Sequence, residues 1–150
     1  MSWFKRLKEG IQTTTKNKKE APDGLWYKCK ECKEASTMKE FKENYYKCPK
    51  CDYHARIGSK EYFEIIFPQG HTALFNNIES EDFLNFVDLK PYKDRLVDAK
   101  KKTKLDDALS VAYGQLGDFK IPLTVACMDF SFIGGSMGSV VGEKIALAIE

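Results

Sequence analysis

Four cysteines, arranged in two pairs, are the residues of this 150-residue sequence whose spacing indicates chemistry most directly. Two residues separate the members of each pair, and fifteen residues separate the pairs. The positions are Cys29, Cys32, Cys48 and Cys51. This spacing is typical of a site in which four thiolates bind Zn²⁺ tetrahedrally and leave no open coordination position. The sequence therefore predicts a closed zinc site that supports structure rather than catalysis.

Disulfides and a redox-active CxxC motif are the competing interpretations of these cysteines. Disulfides need an oxidising compartment, and residues 1–6 lack the apolar core of a secretion signal. A thioredoxin-like CxxC would follow a strand of a βαβ unit and would occur once. Zinc is therefore favoured. His54 lies three residues beyond Cys51 and is expected at the surface rather than among the ligands, because four thiolates already suffice.

The chain between the two pairs is expected to bring the second pair beside the first. Residues 38–41 and 45–47 are predicted to be the strands of a β-hairpin that turns around Glu43 and Asn44. On this interpretation residues 25–57 form a zinc ribbon. Residues 1–24 form an N-terminal basic amphipathic helix and a polar linker, and residues 58–150 form the first part of an α/β domain.

Composition and charge restrict the class of protein. The chain is 43% hydrophobic and 31% charged, and no apolar run approaches the roughly 20 residues that span a membrane. A cytoplasmic protein without a membrane span is expected. Residues 1–60 carry fifteen Lys and Arg against eight Asp and Glu, a charge of +7, whereas residues 61–150 carry nine against fourteen, a charge of −5. This asymmetry indicates a basic ribbon facing an anionic partner, or simply a solvated surface.

Three elements are predicted after the ribbon. Ser59 is expected to cap a helix, and residues 92–103 are expected to form a second helix whose lysines lie near its C-terminal end. Residues 108–116 and 120–129 are apolar runs separated by a Gly-Asp turn, which predicts a hairpin. The second run is apolar on both faces, as in a strand buried from both sides. Such a strand needs neighbours that these elements do not supply, so the chain is expected to stop inside a larger domain.

A glycine-rich loop follows the second run, over residues 129–139, and precedes a helix predicted over residues 140–150. Val141, Ile145, Ala148 and Ile149 are predicted to form the apolar stripe of this helix. A buried strand, a glycine loop and a helix N-terminus together favour an anion-binding site, because backbone N–H groups point away from the helix start. The loop is neither a P-loop nor a GxGxxG motif. A tight connection without a ligand is the alternative.

The chain resembles the N-terminal half of the β subunits of bacterial acetyl-coenzyme A carboxylase carboxyltransferases, from about Leu25 to Glu150. Three blocks carry the resemblance: the cysteine ribbon, residues 86–96 (FVDLKPYKDRL) and residues 128–144 (MDFSFIGGSMGSVVGEK). One departure is Lys104, which stands where the family usually has a glycine after Thr103. Together, in this order and spacing, the blocks are far more specific than the ribbon alone.

The resemblance implies a crotonase-like α/β superhelix after the ribbon, incomplete in this chain. It implies transfer of a carboxyl group from carboxybiotin, presented on a biotin carboxyl carrier protein, to acetyl-coenzyme A, giving malonyl-coenzyme A for fatty acid biosynthesis. The implied partners are a homologous α subunit in an α2β2 heterotetramer, the carrier protein and biotin carboxylase. In such an enzyme a developing enolate needs preorganised N–H donors. The backbone amides of Gly135 and Ser136 are the predicted donors, and Gly134 and Gly138 are predicted to line the substrate. Glu143 and Lys144 are expected to stabilise the structure or a subunit contact.

A nucleic-acid-binding zinc ribbon is the rival hypothesis. It draws on the basic N-terminal part of the chain and on tyrosines that could stack on bases. These are Tyr27, Tyr45, Tyr46 and Tyr53. The rival leaves the glycine-rich block unexplained and is therefore ranked second.

Overall fold

The computed structural model describes residues 24–150, which divide into two compact units between His54 and Ala55. The predicted N-terminal helix and most of the predicted linker, residues 1–23, lie outside the described residues.

No helix in residues 24–150 is long and apolar enough to cross a bilayer.

The first unit is built on a two-stranded antiparallel sheet. Strand β1 (Trp26–Lys28) pairs with strand β2 (Ala35–Thr37), and Trp26 lies opposite Thr37. Helix α1 (Met38–Glu43) follows β2 directly. The short sheet places the loop between β1 and β2, which carries the first cysteine pair, at one end of the unit.

The hairpin predicted over residues 38–47 is wrong, because residues 38–43 form helix α1. Thr37 Oγ1 accepts from the Glu40 amide at 3.2 Å, and the Glu40 carboxylate accepts from the Thr37 amide at 3.0 Å. This reciprocal capping box satisfies two N–H groups that a helix start otherwise leaves unpaired. Phe41 then packs into the unit, with its ring stacked on Tyr27 at 3.6 Å between centroids. Local capping and this stack favour the helix over a strand.

The second unit is organised around a three-stranded antiparallel sheet. Strand β3 (His71–Leu74) and strand β5 (Ile121–Met128) flank strand β4 (Leu109–Leu116). The β4–β5 hairpin is confirmed, and it turns through a short 3₁₀ segment at Gly117–Phe119. The described chain is thus a mixed α/β protein.

Helices cover both faces of β4. Leu109 and Val111 pack on one face with residues of helix α3 (Tyr92–Thr103) and helix α4 (Ser139–Ile149). Ala112 packs on the other face with helix α2 (Ser59–Ile66). Side chains alternate between the faces of a strand, so adjacent residues of β4 face different helices.

The strand predicted to be buried from both sides, β5, is instead a half-exposed edge strand in the described unit. No residue of β5 is fully buried among residues 24–150. The central strand is β4. The stripe predicted for α4 is also partly wrong: Val141 is buried, but Ile145 and Ile149 are exposed. Val140 and Lys144 complete the buried face.

The helix predictions of the second unit hold more closely. Helix α3 spans residues 92–103 as predicted. Helix α2 begins one residue earlier than expected, since Gly58 rather than Ser59 is its N-cap. Lys104, the residue that departs from the family pattern, ends α3 in the left-handed conformation at φ 62°. A glycine adopts that conformation without a steric penalty, which explains why glycine suits this position.

We expect Gly114→Ala to destabilise the protein by about 1–3 kcal/mol, because added atoms overpack a filled core. A Cβ at Gly114 would lie 2.7 Å from Phe67 Cδ1, and Phe67 is fully buried. Gly142→Ala is the matched control. Its Cβ meets no atom within 4 Å, and alanine favours the interior of α4 by about 1 kcal/mol. Urea unfolding followed by circular dichroism measures both, and a neutral Gly114→Ala would contradict this packing.

We expect Lys104→Gly to stabilise the protein by about 1 kcal/mol, since it relieves a left-handed non-glycine residue. Lys104→Ala removes the same side chain but keeps the Cβ, so it should give no such gain. The comparison uses the midpoint of urea unfolding. Equal midpoints for the two variants would show that the left-handed conformation carries no penalty here.

Candidate functional site

The structure brings the four predicted cysteines together. Their sulfur atoms all lie within 4.8 Å of one another. Cys29 Sγ is 3.7 Å from Cys51 Sγ, and Cys32 Sγ is 3.8 Å from Cys48 Sγ. Four sulfurs bound at about 2.3 Å around one tetrahedral Zn²⁺ would be about 3.8 Å apart. All four are free thiols, so the group has the donor set and the spacing of a zinc site.

The backbone explains how each CxxC pair turns. The residue after each pair is left-handed: Lys33 has φ 63° and Asp52 has φ 57°. The Cys29 amide donates to Glu34 O at 2.9 Å, and the Asp52 amide donates to Cys48 O at 3.0 Å. Each pair therefore sits in a closed turn that points both sulfurs to one side. Both turns therefore place a left-handed residue directly after the second cysteine, although their sequences differ.

The electrostatics of the thiols also suit a cation. The backbone N–H groups of Lys50 and Cys51 hydrogen-bond to the Cys48 sulfur and lower the pKa of that thiol to about 7. The Tyr53 N–H acts in the same direction on Cys51. Partial desolvation and the three neighbouring thiols outweigh it and raise the pKa of Cys51 to about 12. Four thiolates this close repel one another, so they ionise together only around a positive ion.

The remaining histidine and cysteine predictions can be placed. His54 is exposed, bridges to Lys47 through the backbone, and is not part of the sulfur group. Cys127 lies half-buried in β5 beside the α2 face of the sheet. Burial, and then the charge of Asp129, raise the pKa of the Cys127 thiol. Cys127 thus belongs to the packing of the second unit.

The glycine-rich loop has an unusual backbone. Ile133, Gly134 and Gly135 are left-handed in succession, at φ 43°, 68° and 73°. A β-branched residue in this region is a genuine outlier, and strain of this kind concentrates at functional sites. Phe132 is buried in the core and anchors the loop. The ring of Phe130 lies where a Cβ on Gly135 would meet it at 3.2 Å, so glycine fits there best.

The predicted donors differ in their availability. The Gly135 amide donates to Phe132 O at 2.8 Å, so this N–H is engaged within the loop. No acceptor is assigned within residues 24–150 to the amide of Ser136, nor to that of Ser139, where α4 starts. Gly134 and Gly138 are exposed, and a Cβ on either would meet no atom within 4 Å. The backbone of the loop is therefore accessible beside Gly134 and Gly138. Of the two predicted donors, only the Ser136 amide has no acceptor within residues 24–150.

Asp129 is a residue whose role sequence reasoning missed. It is only 6% exposed, and its Oδ2 accepts from the Ser59 amide at 3.1 Å. A carboxylate at the N-terminus of α2 accepts from an otherwise unpaired N–H and interacts favourably with the helix dipole. The partners are 70 residues apart, so no local pattern could have indicated the contact. Asp129 thereby fixes the position at which the glycine-rich loop begins.

Known proteins similar to this chain share the name of one enzyme subunit. No protein-family model matches the chain. Curated proteins named acetyl-coenzyme A carboxylase carboxyl transferase subunit beta match it over its whole length. The identity is 56% to the protein of Pedobacter heparinus, 52% to that of Amoebophilus asiaticus and 50% to that of Flavobacterium psychrophilum. The resemblance seen in the ribbon and the glycine-rich block is thus confirmed for the chain as a whole.

The chain spans about half the length of the carboxyl transferase β subunits that it matches, namely 53%, 53% and 52% of the three. Both the cysteine group and the glycine-rich loop lie within the matched region.

We expect the protein to bind one zinc ion, and Cys48→Ser to weaken that binding more than about a hundredfold. Loss of a ligand should exceed the roughly ten- to hundredfold effect of losing an outer-shell partner. Cys127→Ser is the matched control, because Cys127 lies in the other unit. Competition with a chromophoric chelator gives both affinities. Unchanged zinc affinity in Cys48→Ser would remove Cys48 from the ligand set.

Proposed function

We propose that this chain acts as a carboxyl transferase β subunit, in transfer of a carboxyl group from carboxybiotin to acetyl-coenzyme A. The product would be malonyl-coenzyme A, for fatty acid biosynthesis. The single observation that carries the proposal is identity of 50–56%, over the whole chain, to proteins named for this enzyme subunit. Bound carboxybiotin supplies the carboxyl group, and acetyl-coenzyme A accepts it.

The contribution proposed for this chain is stabilisation of charge. Acetyl-coenzyme A would become a nucleophile as an enolate by losing a methyl proton to the ureido nitrogen that biotin exposes when its carboxyl group leaves, so negative charge would develop on the thioester oxygen. A preorganised N–H donor typically contributes about 3 kcal/mol to stabilising such an oxygen. We assign this role to the Ser136 amide, supported by its lack of an acceptor within residues 24–150. Gly135 was the other predicted donor, but its amide already donates to Phe132.

Two glycines of the loop are proposed to let the substrate come close to the backbone. Gly134 and Gly138 leave open space beside the backbone, and we propose that the thioester lies against them. Residues 129–139 contain one carboxylate, that of Asp129. Because that carboxylate caps α2 through Ser59, we assign it to positioning the loop rather than to accepting a proton.

The proposal includes the finer expectations for metal, fold, partners and compartment. Zn²⁺ is the ion proposed for the four cysteines, in a structural role. Residues 58–150 are proposed as the beginning of a crotonase-like domain. The proposed partners are a carboxyl transferase α subunit in an α2β2 assembly, the biotin carboxyl carrier protein and biotin carboxylase. The cytoplasm is the proposed compartment, since thiolates remain reduced there.

A nucleic-acid contact through the basic ribbon stays a prediction. Tyr45 is 70% exposed, but Tyr46 is buried and Tyr27 is stacked on Phe41. Two of the four tyrosines are therefore occupied by packing. The relatives are named for carboxyl transfer, which favours the enzyme over the nucleic-acid-binding alternative.

We expect Ser136→Pro to lower kcat for malonyl-coenzyme A formation by about 10²–10³, the usual effect of losing one oxyanion donor. Ser136 has φ −63°, which proline adopts, so the substitution deletes the N–H with little change in φ. Ser136→Ala is the control, because it keeps the amide and removes only the hydroxyl. The assay combines the complete gene product with α subunit, biotinylated carrier and acetyl-coenzyme A.

Equal activity of Ser136→Pro and Ser136→Ala would remove the Ser136 amide from the mechanism. Absence of carboxyl transfer by the unmodified protein in the complete mixture, with zinc bound, would instead overturn the proposed function itself. Circular dichroism of each variant establishes that the loop substitution leaves the fold intact.

A further inference from the structure

A cleft of about 230 Å³ opens in the second unit, on the side of the sheet where β3 and β4 meet α4. Its walls include polar or charged side chains from four elements of the fold, α2, β3, β4 and α4, and from the segments that connect them. Among them are Ser59, Lys104, Asp107, Ser110 and Lys144. At about 30 Å³ per water in the liquid, the volume admits a ligand of several non-hydrogen atoms together with water.

Lys144 is the notable residue of this cleft. It is 3% exposed, and its Nζ donates to Leu109 O at 3.2 Å. An ammonium group has three donors, and a buried lysine is almost always paired with an opposite charge. Within residues 24–150 Lys144 forms no ion pair. The ammonium group therefore borders the cleft with donors to spare, and neither Asp106 nor Asp107 in the cleft lining forms an ion pair with it.

A buried acceptor also lines the cleft. Asp107 is 8% exposed, and its Oδ1 accepts from the Ala108 amide at 2.7 Å. Lys104, at the end of α3, adds a second cation at the rim. A ligand that pairs with both the Lys144 ammonium and the Asp107 carboxylate needs a negative group toward Lys144 and a hydrogen-bond donor toward Asp107.

We propose that this cleft binds a small anion that carries both a carboxylate or phosphate group and a hydroxyl donor. The anionic group pairs with Lys144, and the hydroxyl donates to Asp107. Charge-assisted hydrogen bonds of this kind are about twice as strong as neutral ones, and the buried walls screen them little. The inference goes beyond the proposed carboxyl transfer and does not depend on it.

The test titrates the zinc-loaded full chain with three probes: inorganic phosphate, glycolate and acetate. Amide signals of residues lining the cleft, such as Ser110, are followed in ¹H–¹⁵N spectra. Glycolate and acetate differ by one hydroxyl, so their comparison isolates the donor to Asp107. Glycolate against phosphate distinguishes a carboxylate ligand from a phosphate ligand. We expect saturation in the millimolar range, as suits ligands of so few atoms, with glycolate tighter than acetate.

Lys144→Met keeps the length of the side chain and removes its charge, and we expect it to weaken binding by about tenfold or more. Lys104→Gln, at an exposed position, should weaken binding by about two- to fivefold. This variant tests the proposal even if Lys144→Met does not fold. Lys101→Gln, on α3 outside the cleft, is the charge-matched control and should bind as the unmodified chain does. Lack of saturable shifts with all three probes, or equal affinity in the Lys144 and Lys101 variants, would overturn the proposal.

Discussion

A single buried carboxylate ties together the elements that lead into the glycine-rich loop of the second unit. Asp129 donates its backbone amide to Ala108 O at 2.7 Å, and its side chain accepts from the Ser59 amide. It thereby joins the start of β4, the start of α2 and the end of β5. A Cβ on Gly58 would lie 2.6 Å from the carboxylate, so glycine before α2 permits the close approach. Burying a carboxylate without such partners would cost several kcal/mol.

The geometry of the glycine-rich loop follows from this anchor and from a second one. Asp129 fixes where the loop begins, and Phe132, the fourth residue of the loop, is held in the core. Between these anchors and α4, the chain must turn sharply, and three successive left-handed residues make the turn. The turn uses the Gly135 amide internally and leaves that of Ser136 without an acceptor in the described chain. An available donor is therefore a consequence of how the loop is held.

The cysteine group has a different physical basis. Its unit is small, and its packing centres on the ring stack of Tyr27 and Phe41 and on the buried ring of Tyr46. So little apolar surface rarely stabilises a fold of this size, and structural metals commonly supply the remainder. The sulfur positions provide the site for such a metal, and the two left-handed turns provide its shape.

The features that the sequence predicted correctly were those indicated by local sequence patterns. The CxxC spacing, the periodicity of α3 and the Gly-Asp turn between β4 and β5 each depend on nearby residues. The capping box of Thr37 and Glu40 was also local, yet the strand prediction for residues 38–41 overlooked it. The cap that Asp129 places on Ser59 spans 70 residues and has no local signal. Burial of Lys144 also had no local signal, since the apolar stripe predicted for α4 did not include it.

Native-state amide hydrogen exchange of the zinc-loaded chain tests most directly whether the loop presents a free donor. The account predicts strong protection at Ser59 and Gly135, whose amides donate to Asp129 and Phe132. It predicts rapid exchange at Ser136 in the same sample. Protection of the Ser136 amide comparable to that of Gly135 would mean that this donor is already engaged, and would contradict the central claim.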